Sequence, residues 1–281
     1  MKIGVIGKGT MGRGIVQLLS QSETVNSVLW LGRSGNIDEQ PLLELKRQWE
    51  RLAAKQRITP ESAKNFVNKI ELVNDFESLK NCTAIIEAVS EDKNAKKSIF
   101  TELGKIVSSD TILASNTSSF SITELASYTP FPGNVIGLHF FNPAPVMKLT
   151  EVISGIVTSQ STVEWSIDFA SKMGKEPVLV NEAPGFIVNR MLIPMINEGI
   201  GILAEGVASA LEIDKAMKYG ANHPIGPLAL ADLIGNDVCL SIMETLHDET
   251  GDPKYRAHPL LRKMVRANRL GRKTGFGFFK Y

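Results

Sequence analysis

Cysteine is nearly missing from this chain. Cys82 and Cys239 are the only two in 281 residues, and they stand far apart without a partner pattern or a metal-type spacing. That excludes a disulfide framework and a cysteine-built metal centre; both read as reduced packing residues, and no metal is expected. Charge of one sign is equally scarce. Thirty-one Lys and Arg oppose 30 Asp and Glu, for a formal net charge of +1. Neither nucleic acid nor an anionic membrane is therefore indicated as a partner, and any anion site must be local. A long uninterrupted apolar run is absent too. The most apolar segment, Pro184 to Ala204, is broken by Asn189, Arg190, Pro194, Asn197 and Glu198, each costly in lipid, so it reads as a buried helix of a soluble protein. Met1-Lys2 leads straight into an apolar strand, leaving no room for a signal peptide's apolar region, and a cytoplasmic location is expected.

What is present is an ordinary globular composition, 43% hydrophobic and 22% charged, in a chain long enough for two domains. Lys2-Ile3-Gly4-Val5-Ile6 reads as a strand. Gly7-Lys8-Gly9-Thr10-Met11-Gly12 follows directly, and Met11, Ile15, Leu18 and Leu19 then keep helical spacing. Strand, glycine turn and helix stand in the order a dinucleotide-binding fingerprint requires. Gly7 permits the tight turn, Gly9 lets backbone N–H groups approach a pyrophosphate, and Gly12 allows close helix–sheet packing. Thr10 and Met11 open the helix whose amino terminus supplies the anion site. The next strand, Ser27 to Leu31, should end in an acidic residue if the ligand is NAD, because a carboxylate accepts the ribose 2′-hydroxyl. Gly32-Arg33-Ser34 stands there instead. Loss of the carboxylate removes repulsion against a 2′-phosphate, and Arg33 with the Ser34 hydroxyl offers it a site, so NADP(H) is favoured over NAD(H). The alternatives are that Asp38 or Glu39 reaches back, or that Arg33 is only solvated.

From Pro41 to about Ile70 the pattern is helical, with Leu42, Leu45, Trp49, Leu52 and Ala53 on one stripe and Thr59-Pro60-Glu61-Ser62 starting a second helix. Lys46, Arg47, Arg51, Lys55 and Arg57 make this inserted hairpin basic. It reads either as a solvated face interleaved with Glu44 and Glu50 or as a site for a phosphorylated substrate handle. Two further strands, Thr83 to Val89 and Thr111 to Asn116, alternate with helices, which indicates a doubly wound, mostly parallel α/β sheet. Polar clusters at successive strand ends converge on one crevice, making Glu91, Asn116, Ser118 and His139 candidate neighbours.

His139 lies near the carboxyl end of the apolar run Val135-Ile136-Gly137-Leu138-His139-Phe140-Phe141, which the turn Asn142-Pro143-Ala144-Pro145 ends. Glu151 lies on the returning strand Leu149 to Ile153. A carboxylate that accepts one imidazole N–H fixes the tautomer and supports the charged ring, as a general acid/base histidine needs. The plainer alternative is a core histidine and an exposed glutamate. Asn181-Glu182-Ala183-Pro184-Gly185 reads as a boundary, giving a dinucleotide-binding domain over 1–183 and an all-helical substrate or dimerisation domain over 184–281. A long helix bearing Asn189 opens the second domain, and Pro194 is expected to kink it. His223, His247 and His258 read as structural.

Five motifs together carry a resemblance: Gly-Lys-Gly-Thr-Met-Gly at 7–12, Ala-Ser-Asn-Thr-Ser-Ser at 114–119, the thirteen residues 137–149, Pro-Gly-Phe-Ile-Val-Asn-Arg at 184–190 and Gly-Arg-Lys-Thr-Gly-Phe-Gly-Phe at 271–278. Over essentially its whole length the chain resembles the 3-hydroxyacyl-CoA dehydrogenase family, in particular its bacterial 3-hydroxybutyryl-CoA members. The resemblance implies reversible reduction of a short 3-oxoacyl-CoA such as acetoacetyl-CoA to the (S)-3-hydroxyacyl-CoA. It makes His139 the catalytic acid/base and Glu151 its orienting partner, and matches Ser118 and Asn189 to positions around the substrate oxygen. Glu91, Lys96 and Asn116 match cofactor-side positions. The basic hairpin, with Arg51 and Lys55, matches the region that meets coenzyme A, and a homodimer is implied. Gly32 departs from the pattern, since members using NAD carry aspartate there. Two rival readings remain: a related dehydrogenase of a free or sugar-derived 3-hydroxy acid, and a catalytically silent NADP(H)-binding protein.

Overall fold

The computed structural model describes residues 1–32 and 37–281, so Arg33 and Ser34 lie outside the described residues. Short runs of buried Ile, Val, Leu and Ala become the strands of one eight-stranded sheet: β1 (Lys2–Ile6), β2 (Ser27–Leu31), β3 (Ile70–Val73), β4 (Ala84–Glu87), β5 (Ile112–Ser115), β6 (Val135–Phe140), β7 (Leu149–Ser154) and β8 (Glu176–Asn181). Their order is β3-β2-β1-β4-β5-β6-β7-β8. Pairing is parallel from β3 through β6, antiparallel between β6 and β7, and parallel again between β7 and β8. Parallel strands are covered on both faces and so read as continuous apolar runs. Ile3, Val5, Ile86, Ile136 and Leu138 are fully buried accordingly, each contributing about 1.5–3 kcal/mol by burial.

The connecting helices are α1 (Thr10–Gln21), α2 (Gln40–Ala54), α3 (Pro60–Asn68), α4 (Lys93–Ile106), α5 (Ile122–Ala126) and α6 (Gln160–Lys172). The stripe predicted for α1 is the one that packs: Ile15, Leu18 and Leu19 are buried with Val16. β1 lies between β2 and β4, so successive connections leave it in opposite directions. Such a reversal opens the ligand crevice at the strands' carboxyl ends. The sequence reading assigns the hairpin to helix as far as Ile70 and misses β3. That strand has four residues, of which Ile70 and Val73 are buried and Glu71 is exposed, and a spacing of three is that of a helix rather than the alternation of a half-buried strand.

The chain divides into two compact units, Met1–Glu182 and Ala183–Tyr281. The second is helical: α7 (Val188–Ala204), α8 (Ala210–Gly220), α9 (Pro227–Ile234), α10 (Asn236–Thr250) and α11 (Pro259–Arg266). α7 continues through Pro194. Ile193, Ile196, Ile200, Leu228, Met243, Leu246 and Leu261 form the core. Its carboxyl-terminal segment is fixed by buried Asp232, which accepts the N–H groups of Phe278 and Phe279, both at 2.9 Å. A Cβ on Gly277 would fall 1.8 Å from that carboxylate, so the 271–278 motif has a packing role.

Candidate active site

The glycine turn is locked to the sheet. The Gly7 N–H donates to the Leu31 carbonyl at 2.9 Å, and the Gly7 carbonyl accepts from the buried Trp30 Nε1 at 2.8 Å. At φ +119°, Gly7 has a conformation that side chains rarely adopt, and a Cβ there would meet the Ala88 carbonyl oxygen at 2.4 Å. On Gly12 it would meet the Gly7 carbonyl oxygen at 2.1 Å, so α1 packs against β1 as closely as backbone allows. Gly9 is the N-cap of α1 and supplies no capping side chain. A Cβ there would meet nothing within 4 Å. Open space therefore fronts a helix end rich in backbone donors, which fits a pyrophosphate. Thr10 and Met11 are the first two residues of that helix.

Beside this turn, the ends of β4 and β5 carry a polar network. Glu87, fully buried at the end of β4, accepts from Lys96 Nζ through both oxygens at 2.9 Å, from Ser115 Oγ at 2.6 Å and from the Val89 N–H at 2.7 Å. The buried Lys96 ammonium also lies 3.2 Å from Glu91 Oε2. Glu91 in turn accepts the Thr117 hydroxyl at 2.9 Å, the Ser118 N–H at 2.6 Å and the Ser118 hydroxyl at 3.0 Å. A buried ion pair persists only when its remaining donors and acceptors are met in this way. Lys96 thus addresses the crevice through Glu91. Glu87, Ser115 and Thr117 have no role assigned from the sequence, although the last two stand in the 114–119 motif and Glu87 is the one charge in an apolar strand, nine residues before Lys96.

The antiparallel step in the sheet sets the remaining pair. His139 on β6 stands directly across from Glu151 on β7, with Nδ1 2.7 Å from Glu151 Oε2. The two side chains are 8% and 1% exposed, so water competes little with the contact. The His139 ring also lies 4.5 Å, centroid to centroid, from Phe141. Asn116, at the end of β5, accepts the Phe140 N–H through Oδ1 at 2.9 Å, and so ties its own strand to the residue after His139. Lys175 donates to the carbonyls of Ala144 and Met147, the latter at 2.8 Å, and anchors the loop between β6 and β7; burial pushes its pKa down. β1, β4, β5 and β6 run parallel, so His139 occupies the same edge of the sheet as the glycine turn. A carboxylate-held imidazole at that edge has the geometry for moving a proton.

The other candidates are more dispersed. Arg51 and Lys55 are exposed at the end of α2. Arg51 borders a depression of 320 Å³ shared with Arg13, Glu44, Arg47 and Gln48, while Lys55 is not part of its lining. Asn189 is the second residue of α7, in the second unit. Cys82 and Cys239 are free and buried, and burial pushes their thiols up to about 11 and about 12. Among the described residues no cluster of His, Cys, Asp and Glu is arranged to hold a metal ion, and no helix is long and apolar enough to cross a membrane.

Comparison with known proteins agrees with this architecture. The 3-hydroxyacyl-CoA dehydrogenase NAD-binding domain matches residues 2–183, and the family's C-terminal domain matches 185–281. The chain is 52% identical to the 3-hydroxybutyryl-CoA dehydrogenase of Clostridioides difficile over 100% of its own length and 99% of that protein's. It is 38% identical to human mitochondrial hydroxyacyl-coenzyme A dehydrogenase, with 99% and 90% covered. The crystal structure of (S)-3-hydroxybutyryl-CoA dehydrogenase from Ralstonia eutropha superposes with a TM-score of 0.94 at 43% identity, covering 100% of this chain and 98% of the other. With a dinucleotide turn and a carboxylate-held histidine on one sheet edge, and with both family domains matched end to end, the chain belongs to the 3-hydroxyacyl-CoA dehydrogenases, which are NAD(P)-dependent oxidoreductases.

Proposed function

We propose that this enzyme reversibly reduces a short-chain 3-oxoacyl-CoA, acetoacetyl-CoA foremost, to the (S)-3-hydroxyacyl-CoA, with NADP(H) favoured over NAD(H). The observation that carries the reading is the 2.7 Å contact between His139 and Glu151 on the sheet edge that holds the dinucleotide turn. A nicotinamide cofactor held at the glycine turn would supply or receive the hydride. His139 gives a proton to the substrate C3 oxygen in reduction and removes the hydroxyl proton in oxidation, exchanging it through Nε2. Glu151 holds Nδ1 and steadies the imidazolium. Ser118 and Asn189 hydrogen-bond the substrate oxygen or its surroundings. The Ser118 hydroxyl is already tied to Glu91, so its direction is preset, a positioning effect of the kind that lowers the entropic part of a barrier.

Gly7, Gly9, Thr10, Met11 and Gly12 cradle the pyrophosphate, with Glu91, Lys96 and Asn116 shaping the crevice beside it. The NADP(H) preference is supported by Gly32, which offers no carboxylate to a ribose hydroxyl, and by Arg33 and Ser34 after it in sequence. Arg51 and Lys55 suit the anionic coenzyme A handle. A cytoplasmic homodimer associating through the second unit completes the reading; Met191, Val207 and Leu211 there are 73%, 69% and 60% exposed, apolar side chains that a partner subunit would cover.

Absorbance at the reduced-nicotinamide band tests the activity: acetoacetyl-CoA should be consumed with NADPH, and an absence of oxidation would revive a silent binding protein. Equal efficiency with free acetoacetate would favour a dehydrogenase of free 3-hydroxy acids. Catalytic efficiency with NADPH should exceed that with NADH, and Gly32→Asp should move the ratio towards NADH; a wild-type enzyme strongly preferring NADH would refute the cofactor assignment.

A further inference from the structure

We propose that Lys8, between the first two glycines of the fingerprint, is the cation that reads the 2′ position of the cofactor's adenine ribose. The inference rests on the NADP(H) reading above and gives the decisive contact to a residue that neither the fingerprint nor the strand-end segment singles out. An NAD-type site places an acidic side chain after the second strand to accept the ribose 2′-hydroxyl. Here the first residue past β2 is Gly32. A Cβ built on it would lie 3.2 Å from Lys8 Cε, 3.3 Å from Cδ and 3.5 Å from Nζ. The lysine therefore lies against the place where an acidic side chain would begin, and it brings the opposite charge there.

The setting keeps it there. The turn bearing Lys8 is bound to β2 on one side by the Gly7 N–H and on the other by the Trp30 indole, so the start of the side chain is fixed. Nζ donates to the Asp38 backbone carbonyl at 2.7 Å, an uncharged acceptor, from an ammonium that has three N–H donors. Partial burial pulls the Lys8 pKa down, with the Asp38 carboxylate opposing that shift. An ammonium already stripped of some water gains more from an incoming phosphate than a fully hydrated one. The same geometry bears on Gly32→Asp. Its carboxylate would enter a position next to Nζ and pair with Lys8, which blunts its ability to accept a ribose hydroxyl; the change should become complete only when Lys8 is removed as well.

The test uses the intact enzyme and binding as the readout. Wild type, Lys8→Met, Lys8→Arg, Gly32→Asp and the Lys8→Met/Gly32→Asp double variant are titrated with NADPH and NADH by nicotinamide fluorescence. Calorimetric titrations with adenosine 2′,5′-bisphosphate and adenosine 5′-monophosphate isolate the 2′-phosphate. Wild type should bind the 2′-phosphorylated member of each pair more tightly. Lys8→Met should weaken those ligands by about tenfold or more, the loss expected for one charge-assisted hydrogen bond. The unphosphorylated ligands should change by less than about twofold, within the range of a lost surface charge contact. Lys8→Arg should retain the preference, and the double variant should favour NADH more than Gly32→Asp alone. A wild type that prefers NADPH, with Lys8→Met changing both ligand classes equally or neither, would overturn the role of Lys8 while the NADP(H) reading stands. A wild type that prefers NADH would overturn that reading, and this inference with it.

Discussion

Replacing Glu151 by Gln keeps the shape of a buried side chain while removing its charge. Oε2 lies 2.7 Å from His139 Nδ1, with the carboxylate side chain 1% exposed, so solvent does not supply a substitute partner. A hydrogen bond with a charged partner contributes about 1.5–3 kcal/mol. At about 1.36 kcal/mol per decade, removing it slows any step that forms the imidazolium by about 10- to 150-fold. Glutamine adds a second loss. An amide that turns its NH2 towards Nδ1 leaves the ring proton on Nε2, and that tautomer cannot accept a proton from substrate. The turnover number for oxidation of 3-hydroxybutyryl-CoA is therefore expected to fall by at least about 10²-fold, the lower bound for general acid–base assistance, with Michaelis constants little changed. His139→Ala should lose about 10²–10⁴-fold. The assay is absorbance of reduced nicotinamide at saturating substrate, accompanied by cofactor titration and thermal melting to show that the variants fold and bind. Near-normal turnover in a folded, cofactor-binding Glu151→Gln enzyme would refute the dyad.

Lys96→Met leaves the fully buried Glu87 without its countercharge and is expected to destabilise the protein by about 3–5 kcal/mol, measured by the urea unfolding midpoint; a change under about 1 kcal/mol, the ordinary scale of a point substitution, would show that the carboxylates have sufficient support elsewhere. With thiols near 11 and 12, Cys82 and Cys239 are only about 10⁻³ to 10⁻⁴ ionised at pH 8. Thiol reagent at that pH should modify neither in the native enzyme and both after denaturation, native reactivity rising only as pH climbs towards 11. Rapid labelling of the folded protein at pH 8 would contradict the burial.

How much of this was legible in the residues varies with the physics involved. The glycine turn was readable because its constraints are steric: backbone oxygens crowd Gly7 and Gly12, and a one-letter pattern records that directly. An apolar strand, a turn and a returning strand allowed the pairing of His139 with Glu151, and the resemblance chose it over a core histidine with an exposed glutamate. The Glu87–Lys96 pair was hidden because a strand buried on both faces shows no alternation to mark a polar position. β3 was missed because four residues hold too little pattern. The placement of Lys8 was invisible because its side chain lies beside the position of a Gly32 Cβ, 24 positions further along the chain, and sequence spacing carries no trace of that. The 271–278 motif served as a family mark, yet in the fold its Gly277 makes room for Asp232; a recognisable motif does not imply a catalytic one.

The cross-strand register between β6 and β7 carries a consequence for how activity arises. Neighbouring residues on a strand point to opposite faces, so a one-position slip of β7 would put Thr150 or Val152 opposite His139 in place of Glu151. No graded series of half-competent arrangements connects those pairings. The contact between imidazole and carboxylate therefore comes into being only with that one alignment of β6 and β7.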